Sequence, residues 1–245
     1  MNRILFEKDE IQDGVATFGG ERAEHVLNVL HGEVGQILKT GEVNGKIGTS
    51  EIVAIGADTI TVRMNHVEES LKPWIDLILA PPRPRILKRL LPQLATLGVG
   101  RIYLVGAKKV EKDFWGATLL KEVNYRPLLI DGLMQAGTSI LPTIELRRNF
   151  RKFVAEELDA VSANHHKLIA HPYGEREEVR RKKEEVRNLK ILLAIGPEGG
   201  WTDEEVALLE SHGFARYSLG PRILRTDTAT IALLAQLLPK DSAQR

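Results

Sequence analysis

Residues 195–205 read Ile195-Gly-Pro-Glu-Gly-Gly-Trp-Thr-Asp-Glu-Glu205, and residues 219–230 read Leu219-Gly-Pro-Arg-Ile-Leu-Arg-Thr-Asp-Thr-Ala-Thr230. Each stretch places a glycine-bearing loop between an apolar, strand-like segment and a segment with helix-start signals. Thr202 and Glu205 have the spacing of a capping box. Apolar strands that alternate with helices indicate a parallel sheet covered on both faces. Ligands bind such sheets outside the carboxyl ends of the strands, where both loops would lie.

Each loop has a structural interpretation beside the functional one. The glycines of the first loop let the backbone approach a ligand closely, and a plain strand-to-helix turn would use them equally well. Its spacing matches neither the P-loop nor G-x-G-x-x-G. In the second loop, Ile223 and Leu224 could line an adenine pocket or fold under into the core, and Arg225 could meet a carboxylate or a phosphate.

The composition is that of a globular protein, because 43% of the 245 residues are hydrophobic and 27% are charged. No apolar run approaches the roughly 20 residues of a membrane span. Residues 1–10 carry acids where a secretion signal would be apolar, so we expect a cytoplasmic protein without a membrane partner. The absence of cysteine excludes thiolate metal sites. The pair His165-His166 lacks a carboxylate at ligand spacing and is expected in a surface turn, so no metal site is predicted.

Basic residues are distributed unevenly along the chain. Between Leu77 and Val110 there is no acid, whereas seven lysines and arginines occur there, and a second basic cluster follows at residues 147–152. Such patches can bind a polyanion such as RNA, or they can be solvated faces balanced by acids elsewhere. Residues 175–187 interleave both signs and predict an exposed helix with internal ion pairs.

The pattern of strand-like and helix-like segments changes near residue 71. Residues 1–71 contain short β-type segments separated by glycine and Asn-Gly turns, with one short helix around residues 21–30, which predicts a small β-barrel domain. Residues 72–245 alternate strands with helices and predict an α/β domain. Its helices are expected over residues 85–97, 115–135 with a break at Pro127, 203–212 and 227–238.

Taken together, the two loops resemble the cofactor-binding motifs of the SPOUT class of methyltransferases, most closely the family that makes N3-methyluridine in bacterial small-subunit ribosomal RNA. The resemblance covers nearly the whole chain, because weaker motifs follow in the family's order. These are His25-Val-Leu27, Leu79-Ala-Pro81, Ala95-Thr-Leu-Gly-Val99, Gln135-Ala-Gly137, Leu141-Pro-Thr-Ile144 and Ile169-Ala-His-Pro172.

The resemblance implies the architecture and the partners. The first domain would be a PUA-like RNA-binding β-barrel, and the second a parallel-sheet SPOUT domain whose last segment threads through a loop as a trefoil knot. Ordinary chain topology disfavours knots, so pattern alone would not predict one. The protein would be a homodimer that acts on ribosomal RNA or on the small ribosomal subunit.

The resemblance also implies that S-adenosylmethionine lies in the knot, held by three loops. The cofactor-binding residues carried over by position are Ala170, His171, Pro172, Ile195, Gly196, Pro197, Glu198, Gly199, Gly200, Leu219, Gly220, Ile223, Leu224, Arg225, Thr226, Thr228 and Ala229. The expected RNA-binding residues are Arg22, His25, Arg83, Arg85, Lys88 and Arg89.

Methyl transfer to uridine requires N3 to lose its proton, either to an acceptor or with cationic groups that stabilise the uridine anion. Arg225 is the candidate for the cationic role, and Glu198 or Asp227 are candidates for the acceptor. Each has a structural alternative. Arg225 could hold a carboxylate or a phosphate, Glu198 could satisfy loop amides, and Asp227 could cap the last helix.

Four positions depart from the family's pattern. Asn28 and Thr138 stand where arginines are usual, Thr96 stands where a glutamate is usual, and Asp227 replaces a more usual glutamate. The cofactor loops are kept while RNA-facing positions differ, and lost arginines weaken phosphate anchoring. Two alternatives therefore stay open: a SPOUT methyltransferase that acts on a different RNA nucleotide, and a catalytically silent RNA-binding scaffold.

Overall fold

The computed structural model describes residues 2–173 and 190–238. They form two compact units. One contains the residues up to Lys72 together with Leu129–Leu141, and the other contains Pro73–Leu128 and the described residues from Pro142 onward. The charged helix predicted over residues 175–187 lies outside the described residues. Among those described, no helix combines the length and apolar character that crossing a membrane requires.

The first unit is built on a six-stranded mixed sheet that curves into a half-barrel. Its spatial order is β1-β4-β5-β6-β3-β2, with β1 parallel to β4 and the other pairs antiparallel. Asn44, in the turn between β4 and β5, takes a positive φ of 59°, which asparagine tolerates better than most residues. The elements are β1 (Ile4–Phe6), β2 (Ile11–Gln12), β3 (Val15–Phe18), α1 (Gly20–Asn28), β4 (Ile37–Glu42), β5 (Ile47–Ile55) and β6 (Ile60–Glu68).

Inward-facing side chains of this sheet form one apolar core with α1. Phe6 packs edge-on against Phe18 with ring centroids 5.3 Å apart, an arrangement that aromatic pairs prefer. Ile52, Ile60 and Val62 are fully buried beside them. The alternation of buried and exposed residues along β5 and β6 explains why their β-type pattern was readable in the sequence.

The second unit is built on a six-stranded sheet in the order β12-β10-β11-β7-β8-β9, and every neighbouring pair is parallel. The strands are β7 (Ile75–Leu79), β8 (Val99–Val105), β9 (Thr143–Arg147), β10 (His165–Ala170), β11 (Lys190–Ile195) and β12 (Ala215–Tyr217). Helix α3 (Glu122–Ala136) belongs to this unit up to Leu128 and to the first unit from Leu129 onward. The other helices are α2 (Pro84–Thr96), α4 (Phe150–Glu156), α5 (Leu158–Ser162), α6 (Asp203–Ser211) and α7 (Thr226–Leu237).

Strands that are almost entirely apolar, with Asp76 as the one charged residue of β7, explain the parallel sheet. Every residue of β7 is buried, and so are the last five residues of β11, Ile191–Ile195. A strand covered on both faces needs this composition rather than alternation. Because all strands run in the same direction, their carboxyl ends meet at one edge. The loops after β10, β11 and β12 therefore lie side by side.

The long helix predicted over residues 115–135 was wrong in its extent. Two short 3-10 turns, Lys112–Gly116 and Thr118–Leu120, precede α3, which begins only at Glu122. Extended backbone at Lys121 (ψ 135°) ends the second turn. Pro127 lies inside α3, at the cost of one helix hydrogen bond, rather than at a break.

The amino ends of the strands hold a buried polar cluster around Asp76. His165 Nε2 lies 2.9 Å from Asp76 Oδ2, and the backbone N–H of Arg101 donates to Asp76 Oδ1 at 2.9 Å. Lys190 Nζ lies 3.4 Å from the same oxygen. The expectation of a surface turn at His165-His166 was wrong, since both residues belong to β10 and are partly buried. A carboxylate remote in sequence holds the first histidine inside the sheet.

Candidate active site

Three loops at the carboxyl edge of the parallel sheet enclose a cavity of about 380 Å³. They follow β10, β11 and β12, and the first turns of α7 complete the wall. The structure thus brings together residues that are far apart in the sequence. The predicted cofactor-binding residues that line the cavity are Ala170, His171, Pro172, Ile195, Gly196, Pro197, Glu198, Gly199, Gly200, Leu219, Gly220, Ile223, Leu224, Thr226 and Ala229.

The loop after β11 is held in a fixed shape. Glu205 N–H donates to Thr202 Oγ1 at 3.3 Å, and Thr202 N–H donates back to Glu205 Oε2 at 2.9 Å. This reciprocal pair confirms the capping box. The buried Glu205 carboxylate also accepts from the backbone N–H of Lys108 at 2.7 Å. A Cβ at Gly196 would lie 3.0 Å from the backbone nitrogen of Trp201, so this turn favours glycine.

Ser218 ties the loop after β12 to the loop after β10. Its buried hydroxyl donates to the carbonyl of Pro172 at 2.8 Å and accepts from the N–H of Gly220 at 3.1 Å. Gly220 has a φ of 118°, a region that favours glycine. The backbone N–H of His171 bonds the carbonyl of Tyr217 at 3.1 Å. Two of the cavity's three loops are therefore joined directly.

Ile223 and Leu224 do not fold into the core. The exposed fractions of these residues are 84% and 37%, and both line the cavity. The core-packing alternative was therefore wrong. Exposed aliphatic side chains at the wall of a cavity are suited to pack against a flat apolar group of a ligand.

Sequence reasoning missed several residues of the cavity wall. Most are direct neighbours of the predicted loop residues, and Leu233 lies one helical turn beyond Ala229 on the same face of α7, a spacing that could have identified it. The missed lining residues are Tyr173, Trp201, Tyr217, Ser218 and Leu233.

A second cavity, of about 570 Å³, adjoins the first. Glu198, Ile223, Leu224 and Thr226 line both. Of the predicted catalytic residues, Arg225 and Asp227 line only the second cavity, and Glu198 lines both. Thr228 lines neither. The remaining wall of the second cavity lies at the start of α2 and consists of Arg83, Arg85 and Ile86.

Ion pairs connect the charged residues of the second cavity. Asp227 Oδ2 lies 3.3 Å from Arg89 Nη2, and Asp227 Oδ1 lies 3.7 Å from Arg225 Nε. Asp227 Oδ1 also accepts from the N–H of Thr228 at 2.9 Å. Asp227 therefore links α2 to the start of α7 and holds Arg225 at the cavity wall. In a separate pair, Arg83 Nε lies 3.7 Å from Glu198 Oε2.

The other predicted RNA-binding residues lie in different settings. In the first unit, Arg22 donates to the carbonyl of Leu5 at 2.9 Å and pairs with Glu10, while its guanidinium lies over the ring of Phe6. His25, in α1, is partly buried. In the second unit, Lys88 is exposed on α2.

Acids neutralise most of the basic cluster at residues 147–152. Arg147 lies 2.7 Å from both Glu145 and Glu157, and Arg151 lies 2.6 Å from Glu204. The interpretation of a solvated face balanced by acids therefore fits this cluster. Two residues of the first basic cluster, Arg83 and Arg85, line the second cavity.

Comparisons with known proteins agree with this geometry. A family model described as an RNA methyltransferase domain matches residues 67–238. Ribosomal RNA small subunit methyltransferase E of Treponema pallidum is 32% identical, with 97% of this chain and 91% of that protein covered. Its counterpart E 1 of Borreliella burgdorferi is 27% identical, with 95% of each covered.

Solved structures show the same fold. A Legionella pneumophila protein described as a methyltransferase in complex with the cofactor S-adenosylmethionine is 30% identical, with a TM-score of 0.70 over 96% of both chains. Methyltransferase E of Neisseria gonorrhoeae, bound to S-adenosylmethionine, has a TM-score of 0.75 over 97% of this chain and 96% of that one, at 22% identity. The fold class expected from the sequence is confirmed. The chain belongs to the RNA methyltransferase family, among the ribosomal RNA small subunit methyltransferase E proteins.

Proposed function

We propose that this protein transfers a methyl group from S-adenosylmethionine to N3 of a uridine in small-subunit ribosomal RNA, and that it does so as a homodimer. The observation that carries the proposal is the cavity enclosed by the loops after β10, β11 and β12. Family membership supports the reaction class, and the sequence resemblance supports the uridine, the homodimer and an RNA-binding role for the first unit.

The cavity suits S-adenosylmethionine in size and in chemistry. Its volume of about 380 Å³ is within the usual range for a small-molecule site. Glycines at positions 196, 199, 200 and 220 expose backbone amides and carbonyls that can bind the polar groups of a nucleoside and an amino acid. Ile223 and Leu224 offer apolar surface for adenine. The Legionella protein, which contains this cofactor, supports the assignment.

The residues of the second cavity suit the proton chemistry. When bound, S-adenosylmethionine supplies an electrophilic methyl group. Arg225 would stabilise the negative charge that uridine acquires when N3 loses its proton. Glu198 is the better placed of the two candidate proton acceptors because it lines both cavities. Both oxygens of Asp227 are already engaged, so we assign it the positioning of Arg225.

Replacing Ala229 with phenylalanine should block the cofactor cavity. Ala229 lines the cavity from α7, between loops that are held in place by Ser218 and by the capping box. Crowding a packed site costs about 1–3 kcal/mol, so we expect S-adenosylmethionine to bind about 10- to 100-fold more weakly. Isothermal titration calorimetry measures this change directly.

Ala235→Phe is the matched control for that experiment. Ala235 lies on the same helix but is exposed and lines neither cavity. We expect its affinity for the cofactor to equal that of the wild type. Equal affinities in the wild type and Ala229→Phe would contradict the placement of the cofactor.

A transfer assay tests the proposed reaction. Wild-type protein is incubated with methyl-labelled S-adenosylmethionine and small ribosomal subunits, or their free RNA, from a strain that lacks the gene. We expect label to enter the RNA of the small subunit. RNA binding without label incorporation would instead favour the silent scaffold, and label in other RNA would favour a methyltransferase with a different target.

A further inference from the structure

The second cavity is placed to hold whatever receives the methyl group. It shares a wall with the cofactor cavity, formed by Glu198, Ile223, Leu224 and Thr226. A group bound there would therefore lie next to the methyl donor of the proposed reaction. Its volume of about 570 Å³ leaves room for a nucleotide, since ligand sites typically measure about 300–1,000 Å³.

Three guanidinium groups border this cavity, and they differ in how they are engaged. Arg83 Nε lies 3.2 Å from Glu111 Oε1 and 3.7 Å from Glu198 Oε2. Arg225 pairs with Asp227 at 3.7 Å. Arg85 has no hydrogen bond or ion pair with any residue in the ranges 2–173 and 190–238. Its charge is thus free to bind an anion.

The position of Arg85 is fixed by the helix that carries it. Arg85 belongs to the first turn of α2, which begins with Pro84. Leu87, Leu90 and Leu91 on the same helix are almost completely buried and anchor it to the sheet. A cation on a rigid element presents a defined docking point, unlike one on a mobile loop. Guanidinium groups bind phosphate with two parallel hydrogen bonds, which sets orientation as well as affinity.

The apolar part of the wall suits a nucleobase. Ile223, with an exposed fraction of 84%, and Leu224 line this cavity as well as the cofactor cavity. Enzymes that modify a base hold it, unstacked, between apolar or aromatic side chains. Arg225 follows these two side chains in the chain and lines the same cavity, whereas Arg85 contributes a cation from the start of α2.

We propose that the second cavity binds the acceptor nucleotide of single-stranded or unstacked RNA, with its base against Ile223 and Leu224 and an adjacent backbone phosphate bound by Arg85. The inference rests on the proposed function and extends it by naming the acceptor site. Arg85 then contributes to binding of RNA and not to binding of the cofactor.

Arg85→Ala tests the proposal in the full-length protein. A labelled single-stranded oligoribonucleotide that contains uridine is titrated in the presence of saturating S-adenosylhomocysteine. Loss of a charged hydrogen-bonding pair should raise its Kd about 10- to 100-fold, and the slope of log Kd against log salt should fall by about 0.7. Arg85→Lys should recover part of the affinity, because it restores the charge without the bidentate geometry.

Lys121→Ala is the control variant. It also removes one exposed positive charge from the second unit, but Lys121 lines neither cavity, so its RNA affinity should match that of the wild type. Thermal unfolding and calorimetry with S-adenosylmethionine should give wild-type values for all three variants. These two measurements verify that a loss of RNA binding is not a loss of folding or of cofactor binding.

The outcomes separate this inference from the proposed function. If Arg85→Ala and Lys121→Ala bind the oligonucleotide equally well, Arg85 is not a phosphate ligand, even where the wild type methylates RNA. If Arg85→Ala weakens binding of the cofactor as much as binding of the RNA, the second cavity is not a separate acceptor site. If the wild type transfers no methyl group, the proposed function fails, and the oligonucleotide titration alone still decides the role of Arg85.

Discussion

Arg225→Ala is expected to lower kcat about 100- to 1,000-fold, the range seen when one group that stabilises a developing negative charge is removed. Arg225 borders the second cavity, where Asp227 holds its guanidinium at 3.7 Å. Uridine N3 becomes a nucleophile only as the anion forms, so loss of the cation acts on the transition state. Single-turnover kinetics with saturating cofactor and RNA measures the effect.

The affinity for S-adenosylmethionine separates catalysis from cofactor binding. Arg225 does not line the cofactor cavity. The Kd of Arg225→Ala for the cofactor should therefore stay within about threefold of the wild-type value, since surface substitutions usually change the free energy of unfolding by less than about 0.5 kcal/mol. Arg216→Ala removes an exposed arginine that pairs with Glu210 at 2.6 Å and is the control for charge. A wild-type kcat in Arg225→Ala would refute the assigned role.

Asp76→Ala is expected to destabilise the protein by about 3–5 kcal/mol, the usual cost of removing one partner from a buried ion pair. The exposed fraction of Asp76 is 3%. Its carboxylate accepts from the N–H of Arg101 and contacts His165 Nε2 at 2.9 Å. Alanine leaves both groups without this acceptor. Urea unfolding at neutral pH measures the loss.

The effect of Asp76→Ala should depend on pH. Burial raises the pKa of the Asp76 carboxyl, but the hydrogen bond from His165, the charge of Lys190 and the amide of Arg101 together hold that pKa below its ordinary value. A carboxyl with a lowered pKa in the folded state stabilises the fold above its unfolded pKa of about 4, and this contribution is lost as the pH falls through the folded value. The difference between wild type and variant should therefore shrink below about pH 4.

An exposed aspartate-histidine pair provides the control for burial. Asp159 Oδ1 lies 2.7 Å from His212 Nδ1, but its side chain is 76% exposed. Exposed pairs contribute little because water screens them, so Asp159→Ala should change stability far less than Asp76→Ala. Equal losses in the two variants would contradict the importance of burial at Asp76.

Local sequence signals predicted the parallel sheet and two of the three loops that enclose the cofactor cavity, whereas the loop after β10 was predicted from the family resemblance. Strand β7 is apolar except for Asp76, and strand β11 is apolar after Lys190. A sheet covered on both faces requires such strands. The capping box of α6 needs residues only three positions apart, so its two hydrogen bonds could be read from spacing. The glycine loops then follow directly from where these strands end.

Features that depend on distant residues could not be predicted. Asp76 is 89 positions from His165, and Arg89 is 138 positions from Asp227, so local spacing carries no sign of either contact. The second cavity requires the starts of α2 and α7 to meet, which is a consequence of tertiary packing. No continuous apolar run marks strand β9, because Glu145 and Arg147 interrupt its pattern and pair with each other at the sheet edge.

The measurement that tests the central claim most directly is the identity of the methylated nucleoside. Small-subunit ribosomal RNA from a strain lacking the gene is treated with purified protein and S-adenosylmethionine, digested to nucleosides and analysed by mass spectrometry against synthetic standards. We expect 3-methyluridine to appear with the wild type and to fall to background with Arg225→Ala. A different methylated nucleoside, or none from protein that binds the cofactor, would contradict the account.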